Sequence, residues 1–153
     1  MLPMDKQMPN RDDLPLDGPW SVGEAEKNGK VIMVRSNSGY RTFGSVQGYD
    51  HQLGIAVPLR LPRPSGLPWP HEDAELGVIE DQVCRSMEED AESLFLAVIT
   101  TNAMREFVFY TCAPKRAEQR FQKLRAQIST HNLQLAIRPD KEWQVYQQFA
   151  VGR

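Results

Sequence analysis

An α+β fold with one antiparallel sheet is predicted by three features of this sequence. From residue 51 onward, strand-like and helix-like patterns follow in the order strand, helix, strand, strand, helix, strand. Asn102-Ala103 leaves room only for a tight reversal between two strands, which excludes the long connection of a parallel pair. At 153 residues the chain has the length of one domain. This order of elements is that of the ferredoxin-like βαββαβ arrangement, with two helices on one face.

Two segments precede these six elements. Residues 1–19 contain four prolines and no apolar face, which predicts a flexible leader. Residues 20–153 are therefore expected to form the single α+β domain. Within it, residues 20–26 and 30–35 have the pattern of an N-terminal β-hairpin, because Asn28-Gly29 between them strongly favours a tight turn.

The remaining elements follow from hydrophobic periodicity and from the residues that interrupt it. Alternating apolar residues predict a strand over residues 51–61, and the prolines between positions 62 and 70 predict a bent crossover without helix. Apolar residues at three- and four-residue steps predict two helices, and Pro139-Asp140 starts a short C-terminal helix. The other predicted ranges are 72–90 for the first helix, 94–101 and 105–112 for two hairpin strands, 114–130 for the second helix and 133–138 for the last strand.

The strand predicted at residues 94–101 is apolar on both faces, although it would lie at the edge of a four-stranded sheet. An edge of that kind pairs with other chains unless it is covered. We therefore expect the N-terminal hairpin to pair with it, or the C-terminal helix or a homodimer partner to cover the open sheet face. Trp143 and Tyr146 on one side of that helix would be surface anchors or a lid on this face, and for Trp143 we favour the lid.

Charge is distributed unevenly over a chain whose formal net charge is -2. Residues 71–92 hold nine acidic residues and one basic residue, whereas residues 115–130 hold five basic residues and one acidic residue. One interpretation makes the first helix an acidic partner-binding surface and the second a phosphate-binding face. The simpler interpretation, which we favour, is that two neighbouring helices of opposite charge pack more easily together.

Patterns typical of catalytic and cofactor-binding sites are missing from the sequence. His51, His71 and His131 lie far apart, and none has partners at the spacing of a metal site. The glycine-rich and nucleophile motifs of dinucleotide, P-loop and hydrolase sites are also absent. Cys84 and Cys112 are expected to be buried thiols. We therefore expect no catalytic residue, no metal and no cofactor.

Neither nucleic acid nor a membrane is expected as a partner. Residues 105–110 resemble the aromatic strand of RNA-recognition modules, but the glycines of that motif are missing and Glu106 would repel phosphate. Phe107 and Phe109 are therefore expected in the core. No apolar run approaches the roughly 20 residues of a membrane helix, and residues 1–20 lack the apolar region of a secretory signal. The low cysteine content is typical of the cytoplasm.

Four candidate binding residues lie at or near the predicted crossover. In Pro68-Trp69-Pro70 the two prolines are expected to hold the indole on a rigid turn, in the manner of a surface anchor. His71, Glu72 and Arg105 would supply the polar groups of a pocket between the proline-rich crossover and the sheet, with Trp69 as one wall.

Several short motifs occur in a defined order along the chain, namely Gly66-Leu67-Pro68 followed by Glu72, Ile79-Glu80-Asp81, Arg105-Glu106-Phe107 leading to Tyr110-Thr111, and Trp143 with Tyr146. Together they resemble the bacterial "domain of unknown function 695" family over residues 20–149. Family members have an Asp-Pro step where this chain has Pro139-Asp140. Some relatives carry the domain beside one that resembles the protein regulator of ribonuclease E activity B. The resemblance therefore implies a ferredoxin-like fold and intracellular work, and it supplies no catalytic residues.

These features favour a cytoplasmic, non-enzymatic module that binds a protein partner, such as a regulator or a neutralising, immunity-like protein. The asymmetric acidic surface and Trp69 motivate this expectation, together with the missing catalytic motifs. The alternative is a small-molecule-binding sensor or enzyme whose pocket lies beside the proline-rich crossover.

Overall fold

A six-stranded antiparallel sheet organises the part of the chain that the structure, a computed structural model, describes, residues 10–151. The predicted α+β class with an antiparallel sheet is confirmed. None of the helices in these residues combines the length and the apolar character needed to cross a membrane. The elements are β1 (Trp20–Lys27), β2 (Lys30–Asn37), β3 (His51–Pro58), α1 (Pro70–Met87), β4 (Ser93–Thr101), β5 (Met104–Thr111), α2 (Pro114–Gln127), β6 (Gln134–Pro139) and α3 (Gln144–Val151).

The strands lie in the order β1-β2-β4-β5-β3-β6, and every neighbouring pair is antiparallel. The predicted ferredoxin-like sheet has four strands, whereas this sheet has six, because the N-terminal hairpin of β1 and β2 continues it beyond β4. Met33 of β2 pairs with Thr100 of β4, and Ser36 pairs with Ala97. The expectation that the hairpin covers this apolar edge is therefore confirmed.

The tight turns form where the sequence predicts them. Asn28 and Gly29 have φ values of 55° and 80°, and Asn102 and Ala103 have φ values of 51° and 62°. Two consecutive residues with positive φ produce a reversal whose twist matches that of the flanking strands. The chain thus turns back immediately after β1 and after β4, and it pairs each of these strands with the next.

Both long helices pack on one face of the sheet, as predicted. α1 begins two residues earlier than predicted, because Pro70 suits the first turn of a helix, and it ends before Asp90, whose φ of 59° is not helical. α2 ends at Gln127 because Ile128 is extended. The buried side chains of this first core are Leu53, Ile55, Val57, Leu59, Leu76, Ile79, Val83, Met87, Val98, Phe107, Phe109, Ala117, Phe121, Leu124, Ile128 and Leu133.

A second core covers the opposite face of the sheet. Trp143 is fully buried there, its ring stacks on that of Tyr110 at 4.2 Å between centroids, and its Nε1 donates a hydrogen bond to the Tyr49 carbonyl at 2.8 Å. The predicted lid is thus supplied by this chain itself. The buried side chains of this second core are Leu14, Tyr40, Val46, Tyr49, Leu94, Leu96, Tyr110, Trp143 and Tyr146.

Part of the predicted leader takes part in this packing. Leu14 belongs to the second core, and Asn37 Nδ2 donates a hydrogen bond to the Pro15 carbonyl at 2.7 Å. Residues 1–9 lie outside the described residues. The flexibility of the leader stays a prediction, but Leu14 and Leu16 within it contribute to the cover of the sheet.

The charged side chains of α1 and α2 form ion pairs mostly with residues outside these two helices. Arg120 of α2 contacts the carboxylates of Glu89, Asp90 and Glu92 in the turn that follows α1. The acidic residues of α1 pair instead with arginines of other elements, as Glu80 does with Arg35 of β2 at 2.6 Å. Opposite charges therefore join the helices to their surroundings more than they join α1 to α2.

Candidate functional site

The crossover between β3 and α1 is a narrow two-armed turn. Pro62 and Pro68 form an isolated antiparallel bridge, and inside it the Arg63 N–H donates to the Leu67 carbonyl at 2.8 Å. Gly66 closes the turn with a φ of 90°, a conformation that side chains with a Cβ rarely adopt. The prolines hold the backbone angle φ on each arm, so that the turn has few alternative conformations.

Three backbone hydrogen bonds anchor this turn to two hairpins of the sheet. The Leu59 N–H donates to the Ala103 carbonyl at 2.9 Å, and the Ala103 N–H donates to the Gly66 carbonyl at 3.1 Å. On the other side, the Val31 N–H of β2 donates to the Ser65 carbonyl at 3.2 Å. The crossover is thus fixed at its base and at its tip, although it contains no regular strand or helix.

A buried carboxylate holds the first arm of the crossover. Glu72, in the first turn of α1 and only 4% exposed, accepts hydrogen bonds from the backbone N–H groups of Arg60 at 2.6 Å and Leu61 at 3.2 Å. Its Oε2 also lies 2.8 Å from Nε2 of His131, whose side chain is buried. Burial acts to raise the pKa of Glu72, but these hydrogen bonds outweigh it and lower the pKa below its ordinary value.

Two apolar side chains project from this anchored turn into solvent. Leu61 and Trp69 stand one residue outside the Pro62–Pro68 bridge, one on each arm, and they are 74% and 51% exposed. The guanidinium of Arg63 lies over the Trp69 ring at 5.6 Å from its centroid, within the range of a cation–π interaction. We call Leu61, Arg63 and Trp69 the crossover surface.

A groove of about 310 Å³ lies beside this surface, between the crossover and the sheet. Arg105 stands in it with its side chain 13% exposed, where it donates to Asp73 Oδ1 and Thr100 Oγ1, both at 2.9 Å. The Nε atom of Arg63 is buried and has no hydrogen-bond partner in residues 10–151. We call this the crossover groove, and its lining residues are Met33, Arg63, Leu67, Pro68, Pro70, Asp73, Thr100 and Arg105.

The structure places the four crossover candidates at four separate positions instead of in one pocket. Trp69 is on the crossover surface and Arg105 lines the crossover groove. His71 and Glu72 do not line that groove, which corrects the predicted lining, and Trp69 is not among its walls. The reason is that His71 points into solvent, with Nε2 3.7 Å from Glu75 Oε2, whereas Glu72 turns toward the crossover backbone.

The other two candidates are part of the second core. Trp143 and Tyr146 are fully buried, and the Tyr146 hydroxyl donates to the Asn37 carbonyl at 2.6 Å. A partner could reach neither ring without displacing α3. Their place in the fold supports a structural contribution, in which they close the sheet face opposite α1 and α2.

Chemically reactive groups are not concentrated at any described position. Burial raises the pKa of the Cys84 and Cys112 thiols, which keeps them protonated at neutral pH. Within residues 10–151 no three or more His, Cys, Asp or Glu side chains are arranged to hold a metal ion.

Three residues of this region were missed in the sequence. The alternating pattern predicts Leu61 at the end of a strand over residues 51–61, whereas β3 ends at Pro58. Arg63 lies between two prolines without a pattern of its own. His131 gives no local signal, because it is separated from Glu72 by 59 positions. The proline spacing around Arg63 could have indicated that its side chain is held on the same turn as Trp69.

The comparisons with known proteins give a family and nothing closer. A family model described as "Family of unknown function (DUF695)" matches residues 19–150. No curated protein and no solved structure matches the chain.

Proposed function

We propose that this chain, which belongs to the family of unknown function DUF695, is a non-enzymatic module that binds a protein partner through the crossover surface. The observation that carries this proposal is the half-exposed Trp69 held between two prolines on an anchored turn. Tryptophan and arginine are the residues most enriched among those that dominate binding energy at protein interfaces. Trp69 and Arg63 stand together on this turn.

The rigidity of the crossover supports the same function. Binding costs less free energy when the contacting side chains are already held in place. Leu61 is held by the backbone hydrogen bond that its N–H donates to Glu72, and Gly66 at the tip is held by Ala103. The crossover surface can therefore meet a partner without first losing much conformational freedom.

The chemistry of the surface indicates the kind of partner. Leu61 and Trp69 offer apolar area, and Arg63 adds a positive charge above the indole ring. A complementary protein surface would present apolar side chains with a carboxylate nearby. In the cytoplasm such a module would act as a regulator or as a neutralising protein of its partner.

We also infer a ferredoxin-like unit within the larger sheet. The strand order β4-β5-β3-β6 and the position of α1 and α2 on one face support this assignment. In this view the N-terminal hairpin and α3 are additions that cover the edge and the second face.

The proposal is tested by affinity capture from cell extract with three forms of the chain as bait. Trp69→Ser removes the central side chain of the crossover surface. Val78→Ser is the matched control, because Val78 is also an exposed apolar residue, at 60%, but lies on the outer side of α1. We expect one partner that binds the wild type saturably and binds Val78→Ser equally well. Its affinity for Trp69→Ser should be lower by a factor of about ten or more.

Two results would contradict the proposal. One is that no protein binds the wild-type chain saturably after capture. The other is a partner that Trp69→Ser retains as well as the wild type does, since binding would then take place elsewhere on the molecule.

A further inference from the structure

We propose that the crossover groove binds a small carboxylic acid anion with an apolar body. The groove combines two guanidinium groups with an apolar lining, and the Nε–H of one of them, Arg63, is buried without a hydrogen-bond partner among the described residues. This proposal does not rest on the proposed protein partner, although Arg63 belongs both to the groove and to the crossover surface.

Arg63 is the first observation that points to a ligand. Its Nε–H is buried without a hydrogen-bond partner in residues 10–151, and no ion pair of Arg63 is found there. A buried donor without an acceptor costs free energy, and a guanidinium has five N–H donors in a planar fork. That fork matches the two oxygens of a carboxylate.

Arg105 supplies a second guanidinium in a fixed orientation. Asp73 and Thr100 accept hydrogen bonds from its Nη2 and Nε, which leaves other donors of the fork for a ligand. Its side chain is largely removed from water, where charge interactions are stronger than in solvent. Two guanidinium groups and the single carboxylate of Asp73 leave one positive charge in excess, which suits a singly charged anion.

The other residues that line the groove indicate that the uncharged part of the ligand is apolar. Met33, Leu67, Pro68 and Pro70 present apolar atoms, and prolines have no backbone N–H to satisfy. The volume of about 310 Å³ is at the lower end of the range for small-molecule sites. α1 begins at Pro70 without a side-chain cap in the described residues, and the positive end of its dipole adds to the attraction for an anion.

The test follows the arginine Nε–Hε signals of the full chain by nuclear magnetic resonance during titration with butyrate and benzoate. Ionic strength is kept constant with chloride, and inorganic phosphate is titrated in parallel. We expect the Arg63 and Arg105 signals to shift saturably with the carboxylates. Arg63→Gln should weaken binding and raise the dissociation constant roughly tenfold.

The control is Arg125→Gln, which removes the same charge from an exposed position on α2 and should leave binding unchanged. Backbone amide spectra show whether each variant is folded. If Arg63→Gln is not folded, Arg63→Lys replaces it, since it keeps the charge and removes the planar fork, and it should also weaken binding.

Three results would overturn the assignment. The first is that neither carboxylate shifts the arginine signals saturably. The second is that phosphate binds as tightly as benzoate, because the groove would then select for charge without an apolar body. The third is that Arg125→Gln weakens binding as much as Arg63→Gln, which would indicate a general effect of net charge.

Discussion

Glu72 illustrates at the residue scale how one carboxylate can position a loop that has no regular structure. It is held by α1, and it accepts two hydrogen bonds from the crossover backbone while it contacts His131 from the segment between α2 and β6. Three distant parts of the chain therefore meet at one side chain. The sequence predicts Glu72 as a polar group of a pocket, but its position makes it a support for the crossover surface.

The first prediction concerns the replacement of this carboxylate. Glu72→Gln replaces one of the two oxygens that accept from the partly buried N–H groups of Arg60 and Leu61, and it should lower the free energy of unfolding by about 1–3 kcal/mol at neutral pH. The exposed Glu118 of α2 is the matched control, and Glu118→Gln should change the free energy of unfolding by less than about 0.5 kcal/mol. Urea unfolding measures both values.

The same substitution should change how stability depends on pH. Because the folded state lowers the pKa of Glu72, its contribution is present above the pKa of the unfolded chain, about 4.3, and is lost as pH falls through the lower folded value. The wild type should therefore lose stability more steeply than Glu72→Gln between about pH 5 and pH 3. Equal slopes for the two proteins would show that Glu72 is not held as a carboxylate.

At the scale of elements, two additions protect the sheet. The N-terminal hairpin pairs with the edge at β4, and the segment around α3 covers the face opposite α1 and α2. β2 pairs with β4, and its Met33 stands in line with Thr100 and Arg105 across three strands. These three residues line the crossover groove, so the groove exists only because the hairpin has joined the sheet. Local sequence patterns predicted the hairpin, but they could not predict the groove, which depends on the pairing register of distant strands.

The element prediction concerns the docking of α3. Trp143→Ala should lower the free energy of unfolding by about 3–5 kcal/mol, because it removes a fully buried ring that stacks on Tyr110. Phe43→Ala is the control, since Phe43 is an exposed aromatic residue next to the same core, and its effect should be much smaller. Thermal unfolding of both variants checks this, and similar losses would show that Trp143 does not close the second core.

At the scale of the whole molecule, the sequence predicted the elements better than it predicted the site. Alternation, helical periodicity and turn residues such as Asn28-Gly29 act locally, and the α+β class with its antiparallel sheet followed from them. The contact between Glu72 and His131 joins residues 59 positions apart and leaves no periodic signal. The flanking prolines predict an exposed Trp69, whereas Leu61 and Arg63 join it only through the pairing of the two arms of the turn, which has no local pattern.

The most direct test of the proposed protein-binding surface is photocrosslinking in living cells from a photoreactive amino acid at position 69, with position 78 as the control site. Both positions are exposed, but only position 69 lies on the crossover surface. We predict one discrete protein adduct from position 69 and none from position 78. No adduct from position 69, or the same adduct from both positions, would contradict the assignment of the crossover surface as the site of partner binding.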